Sequence, residues 1–174
     1  MWKMWTHPVL ERNIPYGYTL GNHDSEGELT RKQLIELDMT NPNSLTELSP
    51  ESISGASNFV IPVYSSKNPK EVVLNLWFFD SGDYDCYGVK GYGCIPSDVV
   101  QWYREKSQEL AIRQNGVKKG IAFFHIPPQE FMYAWNVRNV KNISLEHYPS
   151  VGEKNEDICC QILNTGIIAA MKEM

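Results

Sequence analysis

Two histidines in this chain stand where side chains commonly do chemistry. His23 and His125 each follow an apolar, strand-like run: Ile14 to Leu20 leads into Gly21-Asn22-His23-Asp24, and Ile121 to Phe124 leads into His125-Ile126-Pro127-Pro128. In open α/β sheets, ligands gather at the carboxyl ends of strands, because loops there can vary without breaking the ladder. Asn22, Asp24 and Asp80, the last closing a third apolar run, belong to the same edge. An imidazole nitrogen, an amide oxygen and a carboxylate are donors that Zn, Fe or Mn accept. The competing reading is that each histidine merely closes its loop through a hydrogen bond. His7 and His147 lack a comparable setting and read as solvent-exposed.

The elements that must position these residues are legible in outline. Residues 14–20 alternate in the manner of a short strand. Thr30 and Gln33 form a capping-box pair, and Leu29 with Leu34 a hydrophobic staple, so a helix should begin there and fade before Asn41-Pro42-Asn43. Residues 41–57, rich in Ser, Asn, Pro and Glu, read as a surface excursion. Asn58 to Tyr64 and Val72 to Phe79 read as a hairpin, the second strand apolar on both faces and therefore central. Residues 81–96, with three tyrosines and four glycines, read as a flexible loop; their Gly-x-x-Gly-x-Gly spacing is not that of a nucleotide-binding turn. Ser97 is the expected N-cap of a long helix to about Gln114, with Val99, Trp102, Tyr103 and Leu110 facing inward. After the strand at Ile121 to Phe124 comes a polar loop. A final helix is then expected from Asp157 to about Lys172, with Cys159 and Cys160 as packing residues. Strands alternating with helices indicate an α/β layered fold.

Composition narrows the function classes. The 174 residues carry 16 Lys and Arg against 21 Asp and Glu, a net charge of −5, which argues against a nucleic-acid coat. No apolar run approaches the ~20 residues of a bilayer span, and the opening residues hold no secretory signal stretch. Chain length and a hydrophobic content of 42% suit one soluble domain over 1–174. Cys86 and Cys94 flank the Tyr/Gly loop and suit either a bridge in an oxidising compartment or two free thiols. Asn142-Ile143-Ser144 matches a glycosylation sequon, relevant only in a secreted protein. A thiol enzyme using Cys159 or Cys160 lacks a histidine that chain order pairs with either.

The motifs carry a resemblance. Gly21-Asn22-His23-Asp24, preceded by Tyr18-Thr19-Leu20, resembles the signature of calcineurin-like metallophosphoesterases, and Phe124-His125-Ile126-Pro127 resembles their later single-histidine metal motif. Leu76 to Gly82 and Gln101-Trp102-Tyr103 further resemble the purple-acid-phosphatase-like subgroup. The resemblance spans roughly residues 14–174. It implies part of a layered α/β/β/α sandwich with mixed sheets and flanking helices, and Fe, Zn or Mn as cofactors. Asn22 and His125 would ligate one ion of a two-metal centre; His23 would contact the phosphoryl oxygen or protonate the leaving alkoxide; Asp24 would orient His23. The reaction implied is phosphoester hydrolysis by metal-bound hydroxide.

The departures are equally specific. The family's Asp-x-His and Gly-Asp motifs precede its Gly-Asn-His motif, and a Gly-His-x-His motif follows the histidine strand; in this sequence neither of the first two precedes Gly21, and no Gly-His-x-His follows His125. The expectation is therefore a truncated domain with weak metal binding and little turnover. Its exposed sheet edges, with Trp2 and Trp5, would favour self-association. The alternative is a non-catalytic binding module that keeps the fold and presents the 82–94 loop and an exposed Trp135 to a partner.

Overall fold

The computed structural model describes residues 2–138 and 155–174, with side chains over 6–136 and 155–174. The sequon, His147 and the Trp2 and Trp5 side chains lie outside that description. The elements in chain order are α1 (Trp2–Glu11), α2 (Arg31–Asp38), β1 (Phe59–Tyr64), β2 (Val72–Phe78), β3 (Tyr84–Cys86), β4 (Val89–Tyr92), α3 (Ser97–Arg113), β5 (Lys119–Phe123), α4 (Gln129–Arg138) and α5 (Ile167–Glu173). The fold is α/β. One three-stranded mixed sheet has the order β1-β2-β5, with β1 antiparallel and β5 parallel to the central β2. β3 and β4 form a separate two-stranded ribbon.

The parallel pairing of β2 with β5 matters most for function, because it brings two carboxyl ends side by side. The register pairs Phe78 with Phe123, so the residues after each strand leave from one edge. Phe79 N–H continues the ladder to the Phe123 carbonyl at 2.9 Å. One sheet face, carrying Trp77 and Phe79, is covered by α3 and α5 through Val99, Val100, Tyr103, Ile167 and Ala170. Trp77 meets Tyr103 edge-on at 4.7 Å. Burying several side chains of this size, at ~25 cal/mol per Å² of apolar surface, is the main force fixing the sheet against its helices. The other face stacks Phe59 on Phe78 at 4.5 Å and Phe78 on Phe123 at 4.9 Å, and leaves Ile121 and Phe123 partly exposed.

Several local expectations give way to tertiary demands. Residues 14–20 make a single parallel bridge, Tyr16 to Ser44, rather than a strand. Pro15 supplies no N–H, and Gly17 lies so close to Phe78 that a Cβ there would come within 2.6 Å of the ring. The capping box of α2 is present: Gln33 N–H donates to Thr30 Oγ1 and Thr30 N–H to Gln33 Oε1. Leu29 remains exposed. At α3 the N-cap is Pro96, not Ser97. Ser97 is the first helical residue, and its N–H donates to Tyr87 Oη at 2.7 Å, so a phenol from the ribbon does the capping.

Residues 81–96 are an ordered ribbon rather than a loose loop. Tyr87 (φ 52°) and Gly88 (φ 77°) both take left-handed backbone, as a tight hairpin turn of the right twist requires. Cys86 and Cys94 are joined by a disulfide.

The segment expected as polar loop after His125 contains α4, entered through Pro127-Pro128. Conversely, the helix expected from Asp157 starts only at Ile167, after Gly166 at φ 85°. Upstream of it, Gln161 N–H donates to the Pro127 carbonyl at 3.1 Å instead of to its own preceding turn. Gln161 is itself buried, and its Oε1 accepts from Ile95 N–H. Cys159 and Cys160 therefore lie off any helix, the first exposed and the second half-buried. Burial pushes the Cys160 thiol above its ordinary range, which leaves it less nucleophilic. Trp135 is half-buried rather than exposed. Among the described residues no helix is long and apolar enough to cross a membrane.

Candidate active site

The turn following Leu20 and the turn following β5 meet. His125 Nε2 lies 2.8 Å from Asn22 Oδ1, across 103 residues of sequence. Leu20, 1% exposed, anchors the first turn in the core, and Ile126, 2% exposed, anchors the second. Ile126 N–H donates to Ser81 Oγ at 2.9 Å, which ties the second turn to the end of β2. Two buried aliphatic residues thus flank two polar side chains that project from the edge between them. Asn22, His23 and His125 line one open groove of about 590 Å³, together with Tyr92, Glu156, Asp157 and Cys159.

Within that groove the roles separate by exposure. Asn22 is buried, whereas His23 and His125 are exposed. The Asn22 amide uses both ends: Oδ1 faces His125, and Nδ2 donates to Tyr84 Oη at 3.1 Å. His23 Nδ1 lies 2.7 Å from Glu26 Oε1, so Nδ1 carries the donated proton and Nε2 is left for another contact. The expected Asp24 to His23 pairing is not the one formed. Asp24 Oδ2 instead accepts from Tyr18 Oη at 2.6 Å and from Gly21 N–H at 2.7 Å, closing the turn on itself. Burial, reinforced by the hydrogen bond to Asp24, raises the Tyr18 phenol well above its ordinary range, so it remains a donor. Glu26, three residues after His23, is the partner that sequence reasoning missed; the signal available was the i, i+3 spacing within one turn.

Asp80 also departs from expectation. It is 2% exposed, and its carboxylate is fully engaged. Arg31 Nη2 and Gly82 N–H donate to Oδ1, and Ala56 N–H donates to Oδ2. Arg31 reaches the other way as well, donating from Nη1 to the Gly21 carbonyl at 2.8 Å. Asp80 is therefore a fixing point that holds Arg31, and through it the Gly21-Asn22 turn, rather than a free donor for a cation.

The chemistry of the pair fits one ion in part. Ligand atoms ~2.1 Å from a common metal lie roughly 3 Å apart at ordinary angles, close to the observed Asn22–His125 separation. Among the described residues, however, no group of three or more His, Cys, Asp or Glu side chains converges to hold a metal.

Known proteins resemble the chain in sequence. The chain is 33% identical over 140 residues to probable inactive purple acid phosphatase 29 of Arabidopsis thaliana, covering 72% of the chain and 36% of that protein. It is 35% identical over 157 residues to phosphatase DCR2 of Saccharomyces cerevisiae, covering 85% of the chain and 24% of that protein. It is 28% identical over 183 residues to probable inactive purple acid phosphatase 28 of Arabidopsis thaliana, covering 96% of the chain and 43% of that protein. No family model matches the chain, and no solved structure matches it. These homologues define the class: calcineurin-like metallophosphoesterases. Within it, the chain belongs with the purple-acid-phosphatase-like proteins. It spans less than half the length of each of these relatives.

Proposed function

We propose that this chain carries the Asn–His half of a two-metal phosphoester hydrolase site, with Asn22 Oδ1 and a His125 ring nitrogen as ligands of one ion. The observation that carries the reading is their 2.8 Å approach at the open edge of the sheet. Fe, Zn or Mn, when bound, supplies Lewis acidity toward a phosphoryl oxygen and an activated water. To accept a cation on Nε2, His125 must move its proton to Nδ1, so proton and cation compete for one lone pair. His23 holds a proton on Nδ1 against Glu26 and presents Nε2 to the groove. When doubly protonated it can donate from Nε2 to a phosphoryl or leaving-group oxygen, an effect worth on the order of 10²–10⁴ in rate. Asp24 acts one step back in this reading, holding the turn that carries His23.

Two protein ligands are fewer than a closed metal site uses, so the chain by itself should bind metal weakly and turn over slowly. The test is hydrolysis of an aryl phosphate with added Zn²⁺ or Mn²⁺, with and without a chelator. Chelator-sensitive activity that disappears in both His23→Ala and His125→Ala supports the reading. Undiminished activity in His125→Ala sinks it.

A second reading has its own observation. Among the described residues no group of three or more His, Cys, Asp or Glu side chains converges, which suits a non-catalytic module that keeps the phosphoesterase scaffold. Elemental analysis of the purified chain separates the two, since this reading expects no stoichiometric Zn, Fe or Mn.

A further inference from the structure

The β3–β4 ribbon places one phenol against both signature residues. Tyr84 Oη accepts from Asn22 Nδ2 at 3.1 Å and lies 3.5 Å from His23 Nδ1, with the His23 and Tyr84 rings edge-on at 6.1 Å. No other hydrogen bond to Asn22 Nδ2 is present among the described side chains, and Asn22 is buried.

A buried primary amide has two ends of similar shape and opposite hydrogen-bonding character, and its orientation follows from its neighbours. If the amide turned over, Nδ2 would face His125 and Oδ1 would face Tyr84. Only the observed orientation aims an oxygen lone pair at the position His125 shares. A phenol donates as well as accepts, so Tyr84 could also partner the turned amide; in the arrangement the structure shows, Nδ2 donates to Tyr84 Oη and Oδ1 is the atom beside His125 Nε2.

The ribbon gives Tyr84 little freedom to move away. The Cys86–Cys94 disulfide closes the ribbon. Tyr84 N–H donates to Asp83 Oδ1 at 2.7 Å, and Gly93 N–H to the Asp83 carbonyl at 3.1 Å. At Gly93 any Cβ would sit 2.7 Å from the Ser81 carbonyl, so the ribbon base packs directly on the end of β2. Tyr87 pins the far end to the start of α3.

We propose that Tyr84 is a positioning residue of this site: by accepting from Asn22 Nδ2 it helps to hold the buried amide in place with Oδ1 toward His125. The inference rests on the reading of Asn22 and His125 as cation ligands, and it predicts that the ribbon tunes ligand strength without touching the ion. Groups that orient ligands in this way typically change metal affinity by 10- to 100-fold when removed.

The experiment uses the whole 174-residue chain, ¹⁵N-labelled, with the His125 ring nitrogens assigned by difference from His125→Ala. The wild type should show the Nε2-protonated ring that donates to Asn22 Oδ1. Tyr84→Phe, which removes only the hydroxyl, should show a mixture of both ring tautomers and bind Zn²⁺ roughly tenfold more weakly by calorimetry. Tyr87→Phe loosens the same ribbon at its far end without reaching Asn22, and should keep the wild-type His125 spectrum. A Tyr84→Phe spectrum identical to wild type overturns the proposal whatever the Zn²⁺ result, and so does an equal spectral change in Tyr87→Phe. If wild type, Asn22→Ala and His125→Ala all bind Zn²⁺ alike, or none binds it, the cation reading falls instead, and the ring spectrum still decides the role of Tyr84.

Discussion

Two adjacent strands end side by side in this molecule, and their last residues are built in opposite ways. After β2, Asp80 is buried, paired with Arg31 and held by two backbone N–H groups. After β5, His125 is exposed, and among the described residues its hydrogen bond is to Asn22. Both positions look equally suited to chemistry from the strand ends alone. The difference lies in what each has left to offer: the carboxylate has spent its lone pairs on the scaffold, whereas the imidazole is open to the groove. The two are also linked in order. Asp80 fixes Arg31, Arg31 holds the Gly21 carbonyl, and the turn so held presents Asn22 to His125. A buried acid supplies rigidity so that the buried Asn22 and the exposed His125 can keep their geometry.

Breaking the buried end should produce the largest effect. Arg31→Ala leaves the Asp80 carboxylate desolvated without its cation and should cost about 3–5 kcal/mol in chemical denaturation. A loss below about 1 kcal/mol would mean that the backbone N–H groups alone suffice, and the contrast would weaken. Replacing Cys86 and Cys94 together by Ser should cost about 2 kcal/mol, read as earlier loss of amide-exchange protection in 84–92 than in β2. Uniform loss across both regions would show that the ribbon is not a separate unit.

A smaller effect is expected where residues 50–54 are tied to α3. Burial alone would raise the Asp98 carboxyl, but hydrogen bonds from the Ser54 hydroxyl, Ser54 N–H and Val99 N–H together hold it below its ordinary value. A carboxylate depressed in the folded state stabilises above its unfolded pKa and loses that contribution as pH falls through the folded value. The wild type should therefore lose stability relative to Asp98→Asn on acidification below about pH 4, with about 1 kcal/mol separating them at neutral pH. Stability curves that stay parallel from pH 7 to pH 3 would contradict this. The smallest effect belongs to the open end: His125→Ala should change stability by no more than about 0.5 kcal/mol, since the side chain is exposed. If it destabilised the chain as much as Arg31→Ala, His125 would be part of the scaffold and the division between the two strand ends would collapse.

How much of this was legible in the sequence differs by residue. The capping box announced α2, because two side chains and two backbone donors within four residues decide it locally. The β1–β2 hairpin and the central place of β2 followed from a strand apolar on both faces. The motif around His23 and the histidine after β5 pointed to one family, and the homologues belong to it. Residues 14–20 failed as a strand because of Gly17's contact with Phe78, a partner 61 positions away that no local pattern reveals. The helix expected from Asp157 failed because Gln161 found the Pro127 carbonyl.

The identities of the candidate side chains, and the loops that carry them, are written in the chain order, since residue type sets which lone pairs and protons exist. Which of those groups remain available is set only by packing. Asp80 is a carboxylate in the sequence and a closed hydrogen-bond acceptor in the fold, and Asp24 turns one oxygen onto its own loop; Glu26 and Tyr84 carry no motif, yet meet His23 and Asn22 in space. Hydrogen bonds reach about 3 Å and take no account of sequence distance, so the partner of each polar group is decided by the tertiary structure.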